Sequence, residues 1–245
     1  MSDLFITEIN DKIKIYQKKD GLTFGTDAYL LYAYMKTRKS AVGADLGSGT
    51  GVISLLAASK GKLSHIHAIE IQKDFCDIIE KNTELNTLSD KITTHNCDVR
   101  NIPDTLTEAL DVVFTNPPYM RADSGLSNKA ESKNIARHEA NGTIYDFAAA
   151  GARLLKYGGY FYAVYRPDRL CDLICALREN KLEPKRITFV HPTVSAKPCL
   201  VLVEAKKGAG VSAVVTKPLI MNGEDGKYTP ELDYIYNNGE FDEQY

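Results

Sequence analysis

The sequence predicts an α/β, doubly wound fold on a mostly parallel sheet, and three observations carry that prediction. An apolar strand, Ala41 to Leu46, runs into the glycine turn Gly47-Ser48-Gly49-Thr50-Gly51 and then into a helix, Val52 to Ser59. Short apolar runs recur behind it with helical segments between them, the pattern of βαβ crossovers. Acids mark the first three strand ends: Asp45 just before the turn, then Glu70 and Asp98. Open α/β sheets bind ligands at that edge.

At 245 residues the chain suits one large domain. Residues 1 to 40 form a hairpin and helix, 41 to 206 the core, and 207 to 245 a C-terminal extension. With 44% hydrophobic and 25% charged residues the composition is that of an ordinary globular protein and excludes disorder. No apolar run approaches the roughly twenty residues that span a bilayer, and Met1-Ser2-Asp3-Leu4 begins no secretory signal, so a cytoplasmic protein with no membrane partner is expected, a monomer by preference.

Five cysteines, at 76, 97, 171, 175 and 199, include no C-x-x-C pair. Cys171 and Cys175 lie i, i+4 on a predicted helix and read as packed thiols, so no metal is expected. The formal net charge of −2 hides an asymmetry: seven acids and one Lys from Glu224 onward give −6, which leaves +4 on the first 223 residues. A nucleic-acid partner is therefore compatible with the main body.

In order along the chain, residues 4 to 17 predict a hairpin, with Ile13 and Ile15 alternating with lysines, covering a sheet edge. The polar, glycine-punctuated stretch Gly21 to Ala28 leads into a helix ending near Arg38. Its Thr26 and Asp27 form either a plain helix cap or an anion-binding turn. Strand two, Ile66 to Ile69, ends in Glu70, 21 residues after Gly49, the spacing at which an acid holds two ribose hydroxyls. A helix from Asp74 to Asn86 precedes strand three, Ile92 to Cys97, and Asp98. Asp98 suits either a helix cap or an acceptor for an adenine amino group.

A helix from Pro103 to Leu110 leads to strand four, Asp111 to Thr115, and to Asn116-Pro117-Pro118-Tyr119. An Asn with two prolines and an aromatic supplies polar acceptors on stiff backbone beside a stacking face. Chemistry on the amino group of a planar ring needs that combination. Residues 120 to 142 lack periodicity and read as a partly basic loop, with Arg121, Lys129, Lys133, Arg137 and His138 as candidate RNA contacts. Beyond it lie a helix from Thr143 to Lys156 ended by Tyr157-Gly158-Gly159, a strand from Tyr160 to Tyr165, a helix from Arg166 to Asn180, and strands Arg186 to Val190 and Leu200 to Ala205. That two-strand ending predicts one antiparallel strand.

The glycine turn alone does not choose a cofactor. A dinucleotide site prefers G-x-G-x-x-G, whose third glycine is Val52 here, and a nicotinamide enzyme leaves Asn116 to Tyr119 unused.

Taken in order, Asp45-Leu46-Gly47-Ser48-Gly49-Thr50-Gly51, Glu70, Asp98 and Asn116-Pro117-Pro118-Tyr119 resemble the S-adenosylmethionine-dependent amino methyltransferases across residues 20 to 206. Phe24-Gly25-Thr26-Asp27, His191-Pro192 and Tyr228-Thr229-Pro230-Glu231 extend the likeness to the bacterial tRNA1(Val) adenine-N6-methyltransferase family over almost the entire chain. That resemblance implies a Rossmann-like, seven-stranded sheet of order 3-2-1-4-5-7-6, S-adenosylmethionine as cofactor, and a tRNA adenosine next to the anticodon as substrate. It places Thr26, Asp27, Asp45, Gly47, Ser48, Gly49 and Gly51 around the methionine part of the cofactor. Glu70 with Ile71 falls on the ribose, Asp98 with Val99 on the adenine, and Asn116, Pro117, Pro118 and Tyr119 on the substrate base. Other enzymes with the same tetrapeptide act on guanine-N2 of ribosomal RNA, adenine-N6 of DNA or glutamine-N5 of a protein. The short segment before the glycine turn and the chain length favour tRNA over these.

Overall fold

The computed structural model describes residues 4–10, 13–18, 25–118 and 142–245. Seven principal strands form the sheet: β3 (Val42–Leu46), β4 (His65–Glu70), β5 (Ile92–Asn96), β6 (Leu110–Thr115), β7 (Leu155–Tyr165), β8 (Leu182–His191) and β9 (Leu200–Lys207). Their spatial order, β8-β9-β7-β6-β3-β4-β5, is the expected 3-2-1-4-5-7-6 read from the other edge. Strand β9 runs antiparallel to both neighbours, and β3 to β7 are parallel. The sheet exceeds the expected seven strands. Two short pieces, β10 (Val214–Val215) and β11 (Leu219–Ile220), add parallel to β8 and make nine.

Helices pack on both faces of the sheet. One carries α1 (Thr26–Tyr34), α2 (Val52–Lys60), α3 (Lys73–Leu85) and α6 (Pro230–Asn238), packed on Ile66, Ala68, Val112 and Phe114. The other carries α4 (Ile144–Leu154) and α5 (Leu170–Glu179), packed on Ala44, Leu46, Val113 and Phe161. Alternate residues of one strand thus feed both cores, which is why the strands read as continuous apolar runs. Helix α4 starts where the Thr143 and Asp146 side chains close a capping box. It lies so close to β7 that a Cβ on Gly151 would sit 2.4 Å from the Phe161 ring.

Several expectations need correcting. The hairpin β1 (Leu4–Asn10) and β2 (Ile13–Lys18) exists, but it covers helices rather than a sheet edge: Ile13 and Ile15 enter the α2/α3 core, and Oδ1 of Asn82 in α3 and Oδ1 of Asn86, its C-cap, accept the backbone N–H groups of Tyr16 and Lys14 at 2.7 and 3.1 Å. Helix α1 ends at Tyr34, four residues early. The buried Lys62 ammonium takes the carbonyls of Tyr32, Ala33 and Met35 and ends the helical ladder there.

No α-helix forms between Pro103 and Leu110. Two single-turn 3-10 segments, Val99–Asn101 and Asp104–Leu106, do the connecting, since Glu108 sits at φ 52°, outside the helical range, and β6 already begins at Leu110. The nearby face of β4 and β5 accordingly carries the partly exposed His65, His67 and His95. The Tyr157-Gly158-Gly159 stretch does not separate a helix from a strand. It lies inside β7 as a bulge, opposite a register shift between Leu110 and Val112, with Gly158 at φ +83°. The Arg166-to-Asn180 helix begins as a 3-10 turn and becomes α-helical at Leu170. On α5, Cys171 and Cys175 face solvent rather than packing, because Leu173, Ala176 and Leu177 form the buried stripe.

Candidate active site

The carboxyl ends of β3, β4, β5 and β6 end level with one another. Leu46 pairs with both Ile69 and Thr115, and Glu70 pairs with Asn96, so the Gly47 turn, Glu70, Asp98 and Asn116 emerge along one edge. The Thr115 hydroxyl donates to the Leu46 carbonyl at 2.8 Å, which locks the strand end before Asn116 to the strand end before Gly47.

The turn itself is built on three left-handed glycines, Gly47, Gly49 and Gly51, at φ +72°, +56° and +80°. Any other L residue is strained there. A Cβ on Gly49 would meet nothing within 4 Å, so that glycine opens onto space, whereas Gly47 backs onto Phe147 and Gly51 onto Ile79. The Ser48 hydroxyl donates to the Asp45 carbonyl at 2.8 Å and folds the turn back on its strand.

Asp45 is 1% exposed. Its Oδ2 accepts from the Ser54 hydroxyl at 2.8 Å, its Oδ1 has no hydrogen-bond partner, and burial raises its pKa to about 7. Glu70 accepts Gly49 N–H on Oε2 at 2.9 Å and Gln72 N–H on Oε1 at 2.8 Å, and burial raises its pKa as well. Each carboxylate oxygen keeps a second lone pair. The side chain after it, Ile71, is exposed, and a large apolar group held in solvent beside a carboxylate is a ready face for a flat ring.

Asp98 takes the cap position. Its side chain accepts Arg100 N–H at 2.8 Å and pairs with the Arg100 guanidinium, which holds its carboxyl below the usual range. The neighbouring Val99 is buried.

On the other side of the turn, the Asn116 Nδ2 donates to Asp27 Oδ2 at 3.0 Å, and Asp27 Oδ1 accepts Ala28 N–H at 2.8 Å. The Tyr29 hydroxyl, one turn into the same helix, donates to the Tyr236 carbonyl at 2.9 Å. Pro117 is buried and Pro118 partly so. Tyr119, Arg121, Lys129, Lys133, Arg137 and His138 lie outside the described residues. Among the described residues no His/Cys/Asp/Glu cluster has metal-site geometry, and no helix is long and apolar enough to cross a membrane.

This edge coincides with a recognised family pattern: the model of the methyltransferase small domain matches residues 18–168, more than half of the chain. The chain belongs to that methyltransferase family. A relative from Parabacteroides distasonis, a tRNA1(Val) (adenine(37)-N6)-methyltransferase, is 27% identical over 91% of this chain and 93% of its own length. A Flavobacterium johnsoniae protein of the same name is 23% identical over 94% and 96%. Among solved structures, a predicted O-methyltransferase of Agrobacterium tumefaciens superposes with a TM-score of 0.72 at 22% identity, over 89% of this chain and 98% of that one. The M. jannaschii TYW2 structure, in complex with AdoMet, superposes at 0.59 with 14% identity over 84% and 86%, a likeness of fold.

The residues present fit the methyltransferase cofactor. The open space over Gly49, the unpartnered Asp45 Oδ1, the Glu70 carboxylate and the exposed Ile71 offer, in one cradle, acceptors for a ribose diol, a carboxylate for a cationic group and an apolar face. Several residues of the candidate site escaped sequence reasoning. Ser54, Thr115 and Arg100 act through partners distant in sequence or through a single turn, and nothing in their local pattern marks them. Asn82 did leave a signal: it is a fully buried amide on an apolar helix stripe, and its Nδ2 donates to the Thr50 carbonyl at 3.0 Å and to Tyr16 O.

Proposed function

We propose that this methyltransferase transfers a methyl group from S-adenosylmethionine to the exocyclic N6 of an adenosine in tRNA, next to the anticodon of a valine tRNA. The observation that carries the reading is the Asn116 amide, set at the end of β6 beside the glycine turn with its nitrogen turned toward Asp27. Its oxygen is thereby presented on the opposite edge. The names of the full-length relatives from Parabacteroides distasonis and Flavobacterium johnsoniae support tRNA adenine-N6 as the substrate.

An exocyclic adenine amine is a weak nucleophile because its lone pair is delocalised into the ring. Asn116 Oδ1 and the Pro117 carbonyl accept its two hydrogens, so the nitrogen can pyramidalise and aim its lone pair at the incoming methyl. The prolines fix φ and hold both acceptors still. S-adenosylmethionine, held over Gly47 to Gly51, would supply a sulfonium methyl as electrophile and carry the leaving electron pair away on its sulfur, while the chain's own part is to aim the N6 lone pair at that methyl. The positive charge that develops on N6 faces carbonyl dipoles, and the extra proton then leaves to water. Asp45, Gly47, Ser48, Gly49 and Gly51 hold the methionine part, Glu70 and Ile71 the ribose, and Asp98 and Val99 the adenine edge. An adenosine in an anticodon loop is already partly unstacked, which lowers the cost of extruding it.

The test combines nucleoside mass spectrometry of tRNA incubated with protein and S-adenosylmethionine with calorimetry of cofactor binding. N6-methyladenosine should form. Asn116→Ala should lower transfer by about 10²-fold or more while leaving cofactor affinity within about threefold. Equal loss of transfer and cofactor binding would sink the assignment of Asn116 to the substrate side, and methylation of ribosomal RNA or protein instead of tRNA would sink the substrate.

A further inference from the structure

We infer that Asp27 is a positioning residue for the Asn116 amide, and that it fixes which edge of that amide meets the substrate amine. The inference rests on the methyltransferase reading above and reassigns Asp27 from the cofactor to the substrate side. Its carboxylate accepts the Ala28 N–H on Oδ1 at 2.8 Å and Asn116 Nδ2 on Oδ2 at 3.0 Å. A carboxylate is acceptor only, so it accepts the NH2 edge of Asn116 and rejects the carbonyl edge. The carbonyl edge is the one a donating amine requires. With the amide inverted, donors face donors and the adenine N6 loses an acceptor.

The surroundings are built to keep Asp27 in place. A Cβ on Gly25 would lie 2.5 Å from Asp27 Oδ1, so glycine at that position makes room for the carboxylate to curl back on the helix start. Residues Ala28 to Tyr34 are all buried, and the helix is anchored twice: the Tyr29 hydroxyl in its second turn donates to the Tyr236 carbonyl at 2.9 Å, and Lys62 binds the last carbonyls. The first turn of α1 is therefore a rigid arm that delivers one carboxylate to one amide across 89 residues of sequence.

The Ala28 N–H decides what a neutral replacement does. In Asp27→Asn the new amide must give its oxygen to Ala28, which turns its NH2 toward Asn116 and favours the inverted, unproductive amide. Asp27→Asn is thus expected to lower kcat by about 10²-fold with the dissociation constant for S-adenosylmethionine within about threefold. In the exchanged pair Asp27→Asn with Asn116→Asp, the new carboxylate accepts from the new amide and still offers an oxygen to the substrate. Activity should recover at least tenfold over either single variant. A cofactor ligand gives the opposite split, a raised KM for S-adenosylmethionine at unchanged kcat, and that result, or an exchanged pair no better than its singles, would overturn the inference. The Asn116 side-chain NH2 resonances, assigned by NMR in the protein without cofactor or tRNA, read the same contact if no transfer is seen at all. Slow rotation and exchange that vanish in Asp27→Ala support it, and an unchanged pair refutes it. Failure of the wild-type protein to methylate tRNA would instead count against the substrate reading alone.

Discussion

Asp45 shows how a single buried group couples the site to pH. Its carboxyl is taken up on one side by Ser54 and left without a partner on the other, and burial, reinforced by the charge of Glu70, raises its pKa from 3.8 to about 7. A folded-state pKa above the unfolded value means that the fold prefers the protonated form. The associated stability is fully present below about pH 4 and is lost as pH rises through about 7, each tenfold difference in proton affinity between folded and unfolded chain being worth about 1.4 kcal/mol. Asp45→Asn removes that dependence. Its melting temperature without cofactor should gain on the wild type between pH 5 and pH 8, by an amount corresponding to a few kcal/mol, whereas parallel melting curves would refute the coupling. A cationic methyl donor favours the ionised form, so the cofactor should stabilise the wild type more than Asp45→Asn at pH 8. Residue type and position in the chain were enough to pick out Asp45, Glu70 and Asn116, since strand ends and glycine turns are local features. They did not reveal Ser54 or the Arg100 grip on Asp98, because a hydroxyl in the first turn of an ordinary helix and an arginine in a single 3-10 turn carry no pattern of their own.

Helix α1 is the element that converts packing into active-site geometry. Its N-terminal turn carries Thr26 and Asp27, and its C-terminal turn leaves carbonyls that a helix of any length must satisfy elsewhere. Lys62 satisfies three of them, at 3.0 Å from Tyr32 O, 3.3 Å from Ala33 O and 2.7 Å from Met35 O, while its ammonium lies over the Tyr32 ring. Burial lowers its pKa to about 7, yet three acceptors and a ring face suit the three N–H groups of an ammonium. Lys62→Met keeps the apolar stem and removes every donor. It should cost on the order of 2–4 kcal/mol in denaturant unfolding, and it should also reduce methyl transfer by loosening the Asp27 end. A change under about 0.5 kcal/mol would mean the carbonyls find water instead. The position of α1 was legible from the polar glycine stretch before it, but its end was not. The residue that stops it lies 28 positions beyond Tyr34, just past the end of α2 on the same face of the sheet, and a stop signal of that kind is tertiary. The failed helix at Pro103 to Leu110 has the same origin: capping chemistry was present locally, but the strand at Leu110 claimed its last residues.

At the scale of the molecule, the acidic C-terminal extension turns out to be woven into the fold rather than appended to it. Leu219 is fully buried against β8, Leu232 and Ile235 of α6 join the core beneath α1, and the Tyr29 hydroxyl donates to the Tyr236 carbonyl at 2.9 Å. Arg186 of β8, ion-paired with the buried Glu204 at 3.0 Å, also donates to Tyr34 O at the end of α1 and to Tyr245 O. Composition revealed the charge of this segment but not its attachment, because its anchors are scattered apolar residues set among acids, with no helical or strand period long enough to stand out. Burying side chains of the size of Leu219, Leu232, Ile235 and Tyr245 stabilises by about 1.5–3 kcal/mol each. Their sum is comparable to the total of about 5–15 kcal/mol that holds a domain folded. A chain cut after Lys207 should therefore lose its near-ultraviolet dichroism and its cooperative melt. The milder Ile235→Asp in the full chain should lower the melting temperature by several degrees or more and loosen α1 with it, read as a loss of methyl transfer. If the shortened chain melted cooperatively within a few degrees of the full one, the extension would be an accessory and residues 41–206 a self-sufficient core. The packing of Leu219, Leu232 and Ile235 argues for the first outcome, since removing them opens apolar surface on α1 and β8 that nothing else among the described residues covers.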